Sequence, residues 1–209
     1  MNLKTITRAA AILALLALAA CAGGPRYQAN PQTSFDAHSL DGLVVVGMKG
    51  TGPRLTTPLG LDAGYPYFSL TWVRTEKNAD GTWGTFTTVP RFANVGDIRD
   101  LNHTAYTVPP GRYFLHRLTV VQQTGNLITT RRITLKRDPA LGFEVKAGEI
   151  AYVGDFMVDA LAIPPRIEDY GHNEQAAAAT IKLYTKIKGE VHHVPLVPVR
   201  VASEPVLYE

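Results

Sequence analysis

The sequence predicts a mostly β protein: a single antiparallel β-sandwich of about 7–9 strands with one C-terminal helix packed on it. Three observations lead there. The 18 Gly and 14 Pro among 209 residues interrupt helices at short intervals. Strand-like runs rich in Val, Thr, Tyr and Phe recur between them from Leu40 onward. Only one stretch outside the N-terminus, after Asn173, is long enough and free enough of Gly and Pro to be a helix. A composition of 45% hydrophobic and 19% charged residues is that of a globular chain and excludes collagen-like, coiled-coil, disordered and multi-span membrane architectures.

The elements follow in order. Leu43 to Val46 is a wholly apolar run that suits a buried strand. Residues 50–64 are rich in Gly, Pro and Thr and read as a loop. From Tyr67 to Thr75, Phe68, Leu70 and Trp72 share one face and Ser69 and Thr71 the other. The turn signal at Asn78 to Gly81 returns the chain through Trp83 to Val89 as a hairpin arm. Residues 91–104 have weak periodicity and read as a crossing between sheets. Arg112 to Gln123 and Leu127 to Lys136, joined by Thr124-Gly125-Asn126, form the strongest hairpin signal in the chain. Phe143 to Val145 and Glu149 to Asp159 complete the series, with Ile150, Tyr152, Phe156 and Val158 expected on one face. The helix is expected over 174–188, capped by Asn173 and docked through Ala176, Thr180, Leu183, Tyr184 and Ile187. Beyond it, Pro195, Pro198 and Pro205 confine the tail to an edge strand or a strap.

The first twenty residues are of another kind. Lys4 and Arg8 precede an apolar run from Ala9 to Leu18, and small residues follow, the layout of a secretory signal. That run would span only ~15 Å as a helix, half the hydrocarbon core, so cleavage is expected rather than a retained span. Leu18-Ala19-Ala20-Cys21 resembles the lipobox of bacterial lipoproteins. The resemblance implies that the Cys21 thiol receives a diacylglyceryl group, that the signal is removed before it, and that the new amino terminus is acylated. Cys21 is the only cysteine, so no disulfide within the chain competes for it. Ala22 stands where such proteins commonly carry Asp for retention at the inner membrane, which implies the periplasmic face of an outer membrane. The expected organisation is a signal peptide over 1–20, a lipid-anchored flexible tether over 21–39 reaching on the order of 25 Å, and a β-sandwich domain over 40–209.

Loss of Lys4 and Arg8 takes 21 bases to 19 against 18 acids, so the processed chain is near +1 and no nucleic-acid partner is expected. The cluster Arg131, Arg132, Lys136 and Arg137 reads as a solvated strand edge. A second resemblance rests on Val108-Pro109-Pro110-Gly111-Arg112-Tyr113 and, about forty residues on, Ala147-Gly148-Glu149-Ile150-Ala151-Tyr152-Val153-Gly154. These are similar to turn-and-strand patterns in uncharacterised bacterial lipoprotein sandwich domains. That similarity implies the fold and carries no active site.

Candidate chemistry is sparse. Of the four serines after Cys21 (Ser34, Ser39, Ser69 and Ser203), none sits in a nucleophile elbow, so no catalytic residue is assigned. Asp97, Asp100 and His103 form the best-spaced polar cluster, with Glu168, Asp169 and His172 a second. His192 and His193 are neighbours on a strand and face opposite ways, so no metal site is expected of them. Asp155 and Asp159 read as edge-strand or loop charges. No cofactor is expected. Tyr65, Tyr67, Trp72, Trp83 and Phe86 bracket one hairpin and could stack on sugar but read first as core. The expected function is therefore a lipid-anchored, non-catalytic binding or assembly module of the cell envelope, held to the membrane through Cys21, with an envelope protein or polysaccharide as partner. The alternative is an envelope hydrolase of cell-wall or polysaccharide material using loop carboxylates or His103.

Overall fold

A computed structural model describes residues 28–51, 67–77, 83–85, 91–96, 100–124, 127–135, 140–159, 162 and 166–199. The expected signal peptide, Cys21 and Asp97 lie outside them, as do the 50–64 loop from residue 52 and the Gly125 turn. Twelve strands and one helix are seen among the described residues, more strands than the composition suggested.

The first sheet is built on β1 (Gly42–Thr51), β5 (Asn102–Val108), β9 (Ile150–Asp159) and β10 (Arg166–Gly171). Its order is β10-β9-β1-β5, and β11 (Val191–His193) also joins β9. β1 runs antiparallel to β5 but parallel to β9, and β11 is parallel to β9 as well. The sheet is therefore mixed, and the expectation of an antiparallel fold is corrected here. The apolar run of β1 accounts for its place: Leu43, Val44, Val45 and Val46 are all buried, as a strand covered on both faces requires.

The second sheet is antiparallel. Its order is β12-β8-β6-β2-β3, from β2 (Tyr67–Lys77), β3 (Trp83–Thr85), β6 (Gly111–Thr124), β8 (Ala140–Val145) and β12 (Val197–Val199). β4 (Arg91–Gly96) also pairs with β2, and β7 (Leu127–Thr134) with β6. The 91–104 crossing is thus real, since β4 lies in one sheet and β5 in the other. The chain crosses again near its end, where β11 joins the first sheet and β12 the second.

One core serves both sheets. Val44, Val46, Met48, Tyr106, Val153 and Phe156 from the first meet Phe68, Leu70, Trp72, Tyr113 and Phe143 from the second. Trp72 makes edge contacts with Phe143 at 5.2 Å and with Phe156 at 5.6 Å between centroids, joining the layers through ring packing.

The outer face of the first sheet carries a smaller apolar layer in which Leu43, Val45, Ala105, Ile150 and Tyr152 pack with Phe35, Ala177, Ile181 and Ile187. The helix α1 (Glu174–Lys182) lies here and stops six residues short of the expected end. Asn173 caps it as expected, its side chain accepting from the Ala176 N–H at 3.0 Å. The docking face is turned in part from the expected one: Tyr184 and Ile187 pack on this layer as expected, beyond the end of the helix. Ala177 and Ile181 are buried, Ala176 and Thr180 half-buried, and Leu183 is 78% exposed. Helix growth ends because residues 186–188 are taken by another partner: the Phe35 N–H donates to the Lys186 carbonyl and the Lys188 N–H to the Phe35 carbonyl. Phe35 itself is 2% exposed, and the Ala29 N–H donates to the Ala105 carbonyl. Residues 28–39 are therefore a docked strap, and the tether expected over 21–39 can extend only up to Tyr27.

Candidate functional site

The polar centre of the described structure lies on the helix side of the first sheet. Its geometry begins with Gly47 on β1, which pairs with His103 on β5 and with Asp155 on β9. The three residues form one row across three strands. Gly47 has no side chain, so the two flanking side chains lean over it and meet, His103 Nε2 to Asp155 Oδ1 at 2.9 Å. A Cβ on Gly47 would lie 1.9 Å from that carboxylate oxygen and 3.0 Å from the imidazole nitrogen. Glycine here is a requirement of close approach.

A β-bulge puts a third group in reach. Val45 pairs with Tyr152 and Val46 with Gly154, leaving Val153 as the extra residue. Gly154 has a positive φ of 118°, which supplies the kink. Strict alternation would send Tyr152 and Asp155 to opposite faces; the bulge returns both to the helix side. The same shift overturns the expected common face of Ile150, Tyr152, Phe156 and Val158. The first two join the helix layer and the last two the shared core.

The Tyr152 hydroxyl bonds to Asp155 and accepts the backbone N–H of Asn173 at 2.8 Å. Burial by itself would raise the Asp155 carboxyl. Hydrogen bonds from His103 and Tyr152, the charge of His103 and the Asn173 backbone N–H outweigh it and hold the carboxyl below the ordinary carboxylate range. The His103 and Asp155 side chains are only 5% and 3% exposed. Asp155 is thus a buried partner on an inner strand, and the reading of it as an edge or loop charge is corrected.

Two more imidazoles continue toward the surface. On the edge of β9, β10 pairs with one half of the strand and β11 with the other. His172 follows β10 and His193 closes β11, and their rings meet at 4.0 Å between centroids. His193 stands edge-on to Tyr152 at 6.0 Å, and Tyr152 is 5.9 Å from His103. A file of rings therefore runs from exposed His172 to His103, whose side chain is shielded from solvent.

The clusters suggested by spacing are divided. Asp97 lies outside the described residues, and Asp100 is exposed with its carbonyl accepting from Asn102 Nδ2 at 3.3 Å. His103 turns inward instead, to a partner 52 residues away. Glu168 is exposed on β10, while His172 finds His193. His192 and His193 do face opposite ways, and His192 Nε2 lies 2.7 Å from Glu149 Oε1. Among the described residues no three His, Cys, Asp or Glu side chains are grouped to hold a metal ion. Asp155 and Tyr152 were the members missed. A charged residue inside an apolar strand, directly after a glycine, was the signal available.

Chemically, the arrangement is closed. A general base must reach a substrate proton within about 2.6–3.2 Å. His103 Nε2 already faces Asp155 at that range, in a side chain shielded from solvent. What the network does is join β5, β9 and the first turn of α1 through one buried carboxylate. The chain matches no family model, no curated protein and no solved structure.

Proposed function

We propose that this chain is a lipid-anchored cell-envelope protein whose two sheets form a sandwich that binds or assembles with an envelope protein or polysaccharide, without catalysis. The observation that carries the anchor is Leu18-Ala19-Ala20-Cys21, with the only cysteine of the chain directly behind a signal-like apolar run. The outer membrane, facing the periplasm, is the expected site because Ala22 follows the cysteine. Two or three acyl chains, at ~0.8 kcal/mol per buried CH₂, anchor far more firmly than the single chain that binds reversibly. What supports a non-catalytic reading is the closed His103–Asp155–Tyr152 network, whose groups hold one another rather than an open concavity. Among the described residues no helix is long and apolar enough to cross a membrane.

Fractionation of cells tests the anchor. Wild-type protein is expected in the membrane fraction after a high-salt wash, whereas Cys21→Ser is expected as uncleaved precursor or as misprocessed protein. Wild-type protein that is soluble and takes up no labelled fatty acid would overturn the proposal.

A further inference from the structure

We infer that the junction between the N-terminal strap and the end of α1 is a lipid-contacting surface, lying against the phospholipid headgroups of the membrane that holds Cys21. This rests on the anchor reading for its place, and on four structural observations for its chemistry.

The first is chain length. Six residues, Ala22 to Tyr27, separate Cys21 from Gln28, where the described fold begins. Seven residue steps at ~3.6 Å cover at most about 25 Å, less than the diameter of a small domain. An anchored protein therefore has to present the strap's side of the fold to the membrane. The second is where the strap leads. Four residues past Gln28, Gln32 Oε1 accepts from Lys186 Nζ at 2.8 Å, and Phe35 exchanges backbone hydrogen bonds with Lys186 and Lys188. The turn after α1 is thus tied to the very segment that leads back to the anchor.

The third is apolar exposure. Leu183 is 78% exposed at the end of α1, and Leu40, five residues after Phe35, is 87% exposed. They are the two most exposed large aliphatic side chains described, and each lies on one of the two segments that meet through Phe35. The fourth is charge. Lys182, Lys186 and Lys188 are exposed around Leu183, and long lysine stems reach phosphates while their methylenes stay in the apolar boundary. Asp36, Asp41 and Glu190 are exposed on the same stretches of chain, so three acids offset the three lysines and insertion of the leucines is the larger contribution.

The test uses the purified full chain as cells deliver it. Protein acylated at Cys21 is reconstituted into vesicles directly. Protein with a free thiol is coupled through this only cysteine to a maleimide lipid, so the surface is tested whether or not the anchor reading holds. Leu183→Trp is the reporter, with wild-type emission subtracted to remove Trp72 and Trp83. On vesicles of phosphatidylcholine, with and without phosphatidylglycerol, its emission is expected to shift to the blue and to be quenched by brominated acyl chains. Adding Leu40→Ser together with Lys182→Glu, Lys186→Glu and Lys188→Glu is expected to reduce that quenching by about twofold or more. Quenching on both vesicle types supports leucine insertion, and quenching on the anionic type alone supports a lysine-led contact. Emission from tethered Leu183→Trp identical to that in free solution, unquenched on either vesicle, overturns the inference and leaves the surface to a protein partner. The mass of Cys21 in the native protein reports separately on the anchor.

Discussion

Replacing Gly47 by Ala places a methyl group where the His103 and Asp155 side chains now meet. The new Cβ would lie 1.9 Å from Asp155 Oδ1, where ordinary contact begins at 3.4 Å. The carboxylate must retreat by about 1.5 Å, which breaks a hydrogen bond now 2.9 Å long. Backbone movement offers little relief, because β1 is paired on both sides. The consequence is a buried imidazole and a buried carboxylate without each other, a loss of about 3–5 kcal/mol and a large fraction of the ~5–15 kcal/mol that holds a typical domain. Equilibrium unfolding in urea, followed by far-UV circular dichroism, measures it. Asp155→Ala is expected to be costly alone, yet in that background Gly47→Ala should cost under about 1 kcal/mol, since the clashing group is gone. A loss below about 1 kcal/mol for Gly47→Ala alone, or full additivity in the double variant, would show that Gly47 is not required for the His103–Asp155 contact.

Three further outcomes are expected. Ile181→Ala should cost about 2–5 kcal/mol because its side chain is 4% exposed, whereas Leu183→Ala at 78% exposure should stay within about 0.5 kcal/mol; paired urea titrations compare them. Tyr152→Phe removes the hydroxyl that accepts the Asn173 N–H and should cost about 1–3 kcal/mol, with faster amide exchange in the first turn of α1 as its local sign. Because the Asp155 carboxyl is held below its ordinary range, the unfolded chain takes up that proton first as pH falls. The stabilisation is fully present above the unfolded value near ~3.9 and is lost as pH drops through the folded value. Asp155→Asn should therefore flatten the fall of stability below pH ~4, and an unchanged slope would contradict the assignment.

Local pattern was legible where one strand or one turn decides the outcome. The faces of Phe68, Leu70 and Trp72 against Ser69 and Thr71, the hairpin of β6 and β7, and the Asn173 cap all depend on neighbours in the chain. The parallel pairing of β1 with β9 was not legible, because an apolar run states that a strand is buried without naming its partner. The bulge at Val153 and Gly154 reversed the facing of everything after it, and a single glycine in a strand does not announce which way the phase moves. The end of α1 was misplaced for a tertiary reason, since Phe35 competes for residues 186–188 that have good intrinsic helix propensity. That same contact makes the polar-looking segment 28–39 part of the fold. His103 and Asp155 were each visible as titratable residues, but only the register across Gly47 brings them together.

The most direct measurement is the mass of the N-terminal peptide of the protein isolated from its own membranes. The expected chain begins at Cys21 and carries a diacylglyceryl group with acylation of the new amino terminus. A chain that retains residues 1–20, or one that is cleaved but bears a free Cys21 thiol, would contradict the proposed anchor.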